Sequence, residues 1–267
     1  MISLAAGTVL DAGPAATLDA AAAAGYDAAG LRLAADTDRA TATRLRRRAA
    51  DQGLVLLDLE VVRLGPDRDL DEALRLLDLA VELGARYLLT VSGHPERAAT
   101  LDQLATLVGA AHTTPVRVAV EFMRFTRIPT LADAVGLLDE LDADPADAAV
   151  LVDALHLQRS GGSPADLAAV PGTRIGYVQV CDGPATGPAD LDAVADEARH
   201  HRLAPGEGEL PLRDLLARLP ADLPVSVEVQ SDRLAAELDP ADRARRLLEA
   251  TQRVLVTDPA TTVLGQE

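Results

Sequence analysis

Residues 148–156 read AAVLVDALH: an apolar run closed by Asp153, with His156 three positions further on. A run this short and this rich in valine and leucine is a buried strand, and burial leaves a terminal carboxylate without water. Three other runs repeat the pattern. VRVAVE (116–121) closes on Glu121, IGYVQVCD (175–182) carries Gln179 and Asp182, and PVSVEV (224–229) carries Glu228. In a parallel α/β barrel the C-terminal strand ends are where sites are assembled. Several carboxylates buried near one another are unfavourable unless a cation or strong donors compensate them. One such ending could be a helix cap or an exposed strand end. Four together point to a single polyvalent cation site, and so to an enzyme.

The pattern extends in both directions along the chain. Strands are predicted at Ile2–Ala6, Ala28–Leu33, Val55–Val62, Tyr87–Val91, Val116–Glu121, Ala149–Asp153, Ile175–Val180 and Val225–Val229. Helical periodicity fills Thr37–Gln52, Leu70–Leu83, Leu101–His112, Leu131–Leu141 and Pro211–Leu219 between them. Leu70, Ala73, Leu74, Leu77, Ala80 and Val81 recur at three- and four-residue spacing, with Glu72, Arg75, Asp78 and Glu82 opposite. Gly25, Gly53 and Gly84 stand where helices must reverse into strands. Strand–helix alternation with short connections implies parallel pairing and right-handed crossovers. With 267 residues, the reading is α/β, a single (β/α)8 TIM barrel over 1–257, followed by a loosely held tail at 258–267. The Pro- and Gly-rich segment from Asp182 to Pro211 is the longest connection and is expected to cover the site.

Composition excludes several other classes. With 25 basic and 42 acidic residues the net charge is −17, which repels phosphate backbones and anionic membranes. No nucleic acid and no membrane are expected as partners, leaving a small-molecule substrate and a possible homo-oligomer. The single cysteine, Cys181, rules out an internal disulfide and fits a reducing compartment. Together with an N-terminus lacking a basic region and cleavage site, it points to the cytoplasm. Aromatic residues make up only 2% of the chain, so alanine, leucine and valine must fill the core.

Glu121, Asp153, Gln179 and Glu228 offer only oxygen donors. Such a hard, anionic cage suits one divalent metal ion, Mg²⁺ or Mn²⁺, rather than zinc. The segments EFMRFTRIPTLADA (121–134), VLVDALHLQRSGG (150–162), YVQVCDGP (177–184), LAPGEGELPL (203–212) and VSVEV (225–229) resemble the sugar phosphate isomerase/epimerase family with xylose isomerase-like TIM barrels. The resemblance covers nearly the whole chain and implies one divalent cation held by those four residues. Many members carry histidine where this chain has Gln179. An amide there also occurs in some members, including 3-dehydroshikimate dehydratases.

His156 can face the same cavity and move a proton or donate to a substrate oxygen. Arg202 would reach in from the long connection and clamp a carboxylate or phosphate. Asp182, Glu60, His94 and Glu207 follow strands or lie on that connection and are candidate substrate-binding residues. Arg124, Arg127 and the QRSGG turn around Arg159 are weaker candidates, and His200 and His201 read as a helix end. With Glu121 and Glu228 as combined ligands and acid/base groups, the leading expectation is an isomerase or epimerase working through an enediolate. The first alternative is a dehydratase of the 3-dehydroshikimate or inosose type, with His156 and Arg202 in named roles. The second is a small-molecule-binding barrel without chemistry.

Overall fold

Along Tyr87–Ser92 (β4) the side chains alternate: Tyr87, Leu89 and Val91 join one buried apolar cluster and Leu88 joins another. The same division separates Ala119 from Val118 and Val120, Leu151 from Val150 and Val152, and Tyr177 from Val178. A strand buried on both faces is what a closed barrel wrapped in helices requires. The computed structural model, which describes residues 1–256, has that barrel. Its strands are β1 (Ile2–Leu4), β2 (Ala28–Arg32), β3 (Val55–Leu64), β4, β5 (Arg117–Glu121), β6 (Ala148–Asp153), β7 (Ile175–Val180) and β8 (Val225–Val227). All neighbours pair in parallel, in sequence order, and β8 closes on β1. The tail expected at 258–267 lies outside the described residues.

Helix boundaries follow from local chemistry. The helix α2 (Arg39–Asp51) starts two residues later than its periodicity suggests, because Asp38 accepts the Thr41 amide at 2.8 Å and caps it. The helix α3 (Leu70–Leu83) is capped by Asp69 and stops at Gly84, whose φ of 74° reverses the chain without a Cβ clash. In the segment expected to be a loop, α7 (Leu191–His200) forms with its buried face on Val194, Ala195 and Ala198. Asp190 accepts the Asp192 and Ala193 amides to start it. The connection thus delivers the end of a helix to the barrel mouth, where Ala198, Arg199, His200 and Arg202 line the cavity. Among the described residues no helix is long and apolar enough to cross a membrane.

The barrel interior holds a polar core under the site. Tyr177 and Tyr87 pack with ring centroids 4.9 Å apart; Tyr177 donates to Asp58 Oδ2 at 2.6 Å and Tyr87 to the Gly176 carbonyl at 2.8 Å. Gly176 leaves room for that arrangement: a Cβ there would lie 2.9 Å from a Tyr87 ring carbon and 3.1 Å from the Ala149 Cβ. Overpacking of this kind costs about 1–3 kcal/mol. Gly176→Ala should lower unfolding stability by that amount in urea titrations; an unchanged midpoint would contradict the packing described.

Candidate metal centre and active site

Register places the ligand candidates. Asp153 pairs with Gln179 and Gln179 with Ser226, so Asp153 and Gln179 stand side by side at the ends of β6 and β7. Glu121 is the last residue of β5, and Glu228 lies one residue past β8. All four are buried. Asp153 also caps the short helix α6 (Ala154–Arg159), its Oδ1 accepting the His156 amide at 2.8 Å. That cap turns the His156 side chain toward β5, with Nε2 3.8 Å from Glu121 Oε1. One donor atom each from Glu121, Asp153 and His156 lie within 4.8 Å of one another. The ligand set expected from sequence contains no histidine; the group that the fold brings together includes His156 and leaves Glu228 outside it.

Arg202 joins these groups. Its Nη1 donates to Asp153 Oδ2 at 2.6 Å and to the Glu228 carbonyl at 3.2 Å, and lies 3.2 Å from Glu228 Oε2. Its Nε donates to the Ala198 carbonyl at 2.7 Å, and Nη2 lies 3.3 Å from His156 Nε2. Burial, then the charge of Arg202, pushes His156 down to about 4, so the ring is neutral near pH 7. Arg202 keeps its protons, so His156 Nε2 accepts and Nδ1 carries the hydrogen, with no partner in the protein. The contact with Glu121 is therefore not an ion pair.

The carboxylates are under electrostatic stress. Burial, then the charges of Glu228 and Asp153, hold Glu121 well above the usual carboxylate range, and burial lifts Glu228 to about 7. Asp153 is the exception: burial opposes its ionisation, but Arg202 and His156 pull it below the ordinary value. Both amide atoms of Gln179 are buried without a partner. A divalent cation fits these observations. It would relieve the repulsion, occupy the orphaned Gln179 oxygen and complete an oxygen-rich set; three carboxylates less one guanidinium leave a charge of −2 to be met.

Above the cage is a cavity of about 400 Å³. Glu121, His156, Arg202 and Glu228 reach its lining, as do Arg32, Arg63, Phe125 and Arg199. Glu60 lines it too, fully buried and bonded to Arg32 Nη2 at 2.7 Å. Burial, offset in part by Arg32, raises Glu60 to about 7. Arg199 lies over the Phe125 ring at 5.3 Å, and the Phe125 and His156 rings meet edge to face with centroids 5.7 Å apart. Among the described residues neither Arg63 nor Arg199 has an ion-pair partner.

Other candidates fall elsewhere. Asp182 is buried and accepts three backbone amides, so it does not face the cavity. His94 sits half-buried after β4, its Nδ1 accepting the Glu96 amide at 3.2 Å. Glu207 pairs at the surface with Arg246 at 2.7 Å and Arg233 at 3.5 Å. Arg159 is locked to Glu197 at 2.6 Å and holds the Pro184 carbonyl, a structural role. His200 ends α7 and lines the cavity rim, with Nδ1 3.2 Å from Asp232. Sequence reasoning missed Arg32, Arg63, Arg199 and Phe125. The rule that found the acids would have found Arg32, since it too closes a strand.

The chain matches the family model for the xylose isomerase-like TIM barrel over residues 18–254, and it belongs to that family. Among curated proteins it is 32% identical over 206 residues to a 3-dehydroshikimate dehydratase of Pseudomonas aeruginosa, covering 70% of this chain and 31% of that one. It is 29% identical over 224 residues to a 3-dehydroshikimate dehydratase of Pseudomonas putida, covering 77% and 34%. The chain thus spans about a third of the length of these relatives. Among solved structures, a xylose isomerase-like TIM barrel/4-hydroxyphenylpyruvate dioxygenase fusion protein superposes with a TM-score of 0.79 at 25% identity, covering 97% of this chain and 45% of that one.

The orphaned amide gives a direct test. Gln179→Met should stabilise the metal-free protein, since an unsatisfied buried amide costs about 1–3 kcal/mol. The same variant should bind Mn²⁺ about tenfold or more weakly. Thermal melts with and without Mn²⁺ measure both; unchanged metal affinity would remove Gln179 from the cage.

Proposed function

We propose that this chain is a divalent-metal-dependent dehydratase acting on a hydroxy-ketone that carries a carboxylate, with 3-dehydroshikimate as the leading substrate. The observation that carries the reading is the cavity wall. An oxygen-rich cage forms its floor, while Arg63 and Arg199, without acidic partners among the described residues, face the same space in a chain of net charge −17. Unpaired guanidiniums in a cavity of an acidic protein select an anionic ligand. A free sugar would call instead for hydroxyl-binding groups. The two dehydratase relatives and the amide at Gln179 support the same reading. This reverses the order expected from sequence, where isomerase or epimerase came first.

Glu121, Asp153, Gln179 and Glu228 would hold the cation, with His156 at the edge of the set. When bound, a divalent ion there would polarise the substrate carbonyl and acidify the adjacent C–H bond; Mg²⁺ or Mn²⁺ suits the oxygen donors. The protein's own groups do the rest. Arg63 and Arg199 would bind the carboxylate and set the ring's orientation. A carboxylate oxygen of Glu228 takes the proton α to the carbonyl. Glu228, having taken that proton, would deliver it to the departing β-hydroxyl as the C–O bond breaks, which returns its carboxylate to the starting charge and leaves His156 a neutral hydrogen-bond partner. One water leaves for each carbon–carbon double bond formed, so no oxidant is needed. Phe125 and Arg199 cover the His156 side and limit entry of bulk water.

Incubation of the Mn²⁺-loaded protein with 3-dehydroshikimate should produce the ultraviolet absorption of an aromatic product. Arg199→Ala should raise KM about 10- to 100-fold, the loss of a charged hydrogen bond of about 1.5–3 kcal/mol, with a smaller change in kcat. Deuterium entering a ketose without elimination would support the epimerase reading instead.

A further inference from the structure

Asp182 belongs neither to the cation cage nor to the cavity, yet it is among the best-satisfied side chains in the molecule. It is 1% exposed, and its Oδ1 accepts the amides of Gly183 at 2.9 Å and Leu210 at 3.0 Å. Its Oδ2 accepts the Gly206 amide at 2.8 Å. Three donors converging on one carboxylate tie the end of β7 to both ends of the turn Gly206–Leu210. That turn is moulded on the side chain: a Cβ on Gly208 would lie 2.4 Å from Asp182 Oδ1 and 2.5 Å from the Gly183 carbonyl. Only glycine permits so close an approach.

The backbone continues the connection to the cage. Asp182 and Leu203 form an antiparallel bridge, each amide donating to the other's carbonyl at 2.9 Å. The Arg202 amide donates to the Gln230 carbonyl at 3.1 Å, just beyond β8. Arg202 is thereby fixed between the ends of β7 and β8, and its guanidinium reaches Asp153 and Glu228 from there. We propose that Asp182 is a positioning residue for the cation cage: by anchoring the 203–210 segment it sets where Arg202 stands, and through Arg202 it sets Asp153 and Glu228. The inference rests on the cation reading of the cage and is independent of which reaction the site performs.

The test is a double-mutant cycle read as Mn²⁺ affinity, with free ion followed by electron paramagnetic resonance. Asp182→Asn keeps the shape but puts an NH2 donor in place of one oxygen that accepts backbone amides. It should weaken Mn²⁺ binding about tenfold in the otherwise unchanged chain, the effect expected for a residue behind the ligands. In an Arg202→Ala background the same substitution should cause no further loss, because its route to the metal is gone. An equal loss in both backgrounds, or no loss in either, overturns the proposal and leaves Asp182 a loop anchor only. Should Asp182→Asn fail to fold, Gly208→Ala displaces the turn from the carboxylate and takes its place in the cycle. Absence of Mn²⁺ binding by the unaltered chain would overturn the cation reading and this inference with it. Binding without coupling between Asp182 and Arg202 would overturn the inference alone.

Discussion

Arg202 is almost wholly excluded from water, and every nitrogen of its guanidinium is engaged: Nε with a backbone carbonyl, Nη1 with Asp153 and the Glu228 backbone, Nη2 with His156. Without it Asp153, Glu121 and Glu228 would face one another across a space with little water. Charges buried unpaired are strongly destabilising, whereas a hydrogen-bonded guanidinium can hold several at once. The planar fork matters here, since a lysine ammonium could not serve two strand ends, a helix carbonyl and an imidazole together. One arginine still leaves the group short of positive charge. The deficit appears as raised affinity for protons at Glu121 and Glu228 and as a Gln179 amide with no partner. A divalent cation is the group that would complete it.

The barrel makes this crowding possible. Strands in a closed barrel are tilted, so hydrogen-bonded rows climb around it, and residues from different pleats of β5, β6, β7 and β8 reach one level. Below them Tyr87, Tyr177, Leu151 and Ala119 plug the interior, so the cage has a solid floor and opens only toward the cavity. Above, Arg63 and Arg199 line the cavity without ion-pair partners among the described residues. The chain as a whole carries a net charge of −17, so two guanidiniums without acidic partners stand out against it.

The sequence made legible what repeats. Eight strands follow from eight apolar runs, with ends off by at most two residues. Glu121, Asp153, Gln179 and Glu228 stood out because burial and polarity conflict at strand ends. Partnership was not legible. Asp182 and Arg202 were visible as residues, but whether Asp182 faces a ligand or three backbone amides depends on a turn that only the folded chain forms. Arg63 and Arg199 carry no mark in the sequence, because what sets them apart is the lack of acidic partners among the described residues. Glu207, by contrast, sits in a glycine-rich motif yet points to solvent, where Arg246 and Arg233 meet it.

A single divalent cation, held by Glu121, Asp153, Gln179 and Glu228, would complete this cage. Crystals grown with Mn²⁺ and measured at the manganese absorption edge test it most directly. One anomalous peak is expected within coordination distance of all four side chains, with Arg202 still bonded to Asp153. No peak there, or a peak bound by His156 with Gln179 turned away, would contradict it.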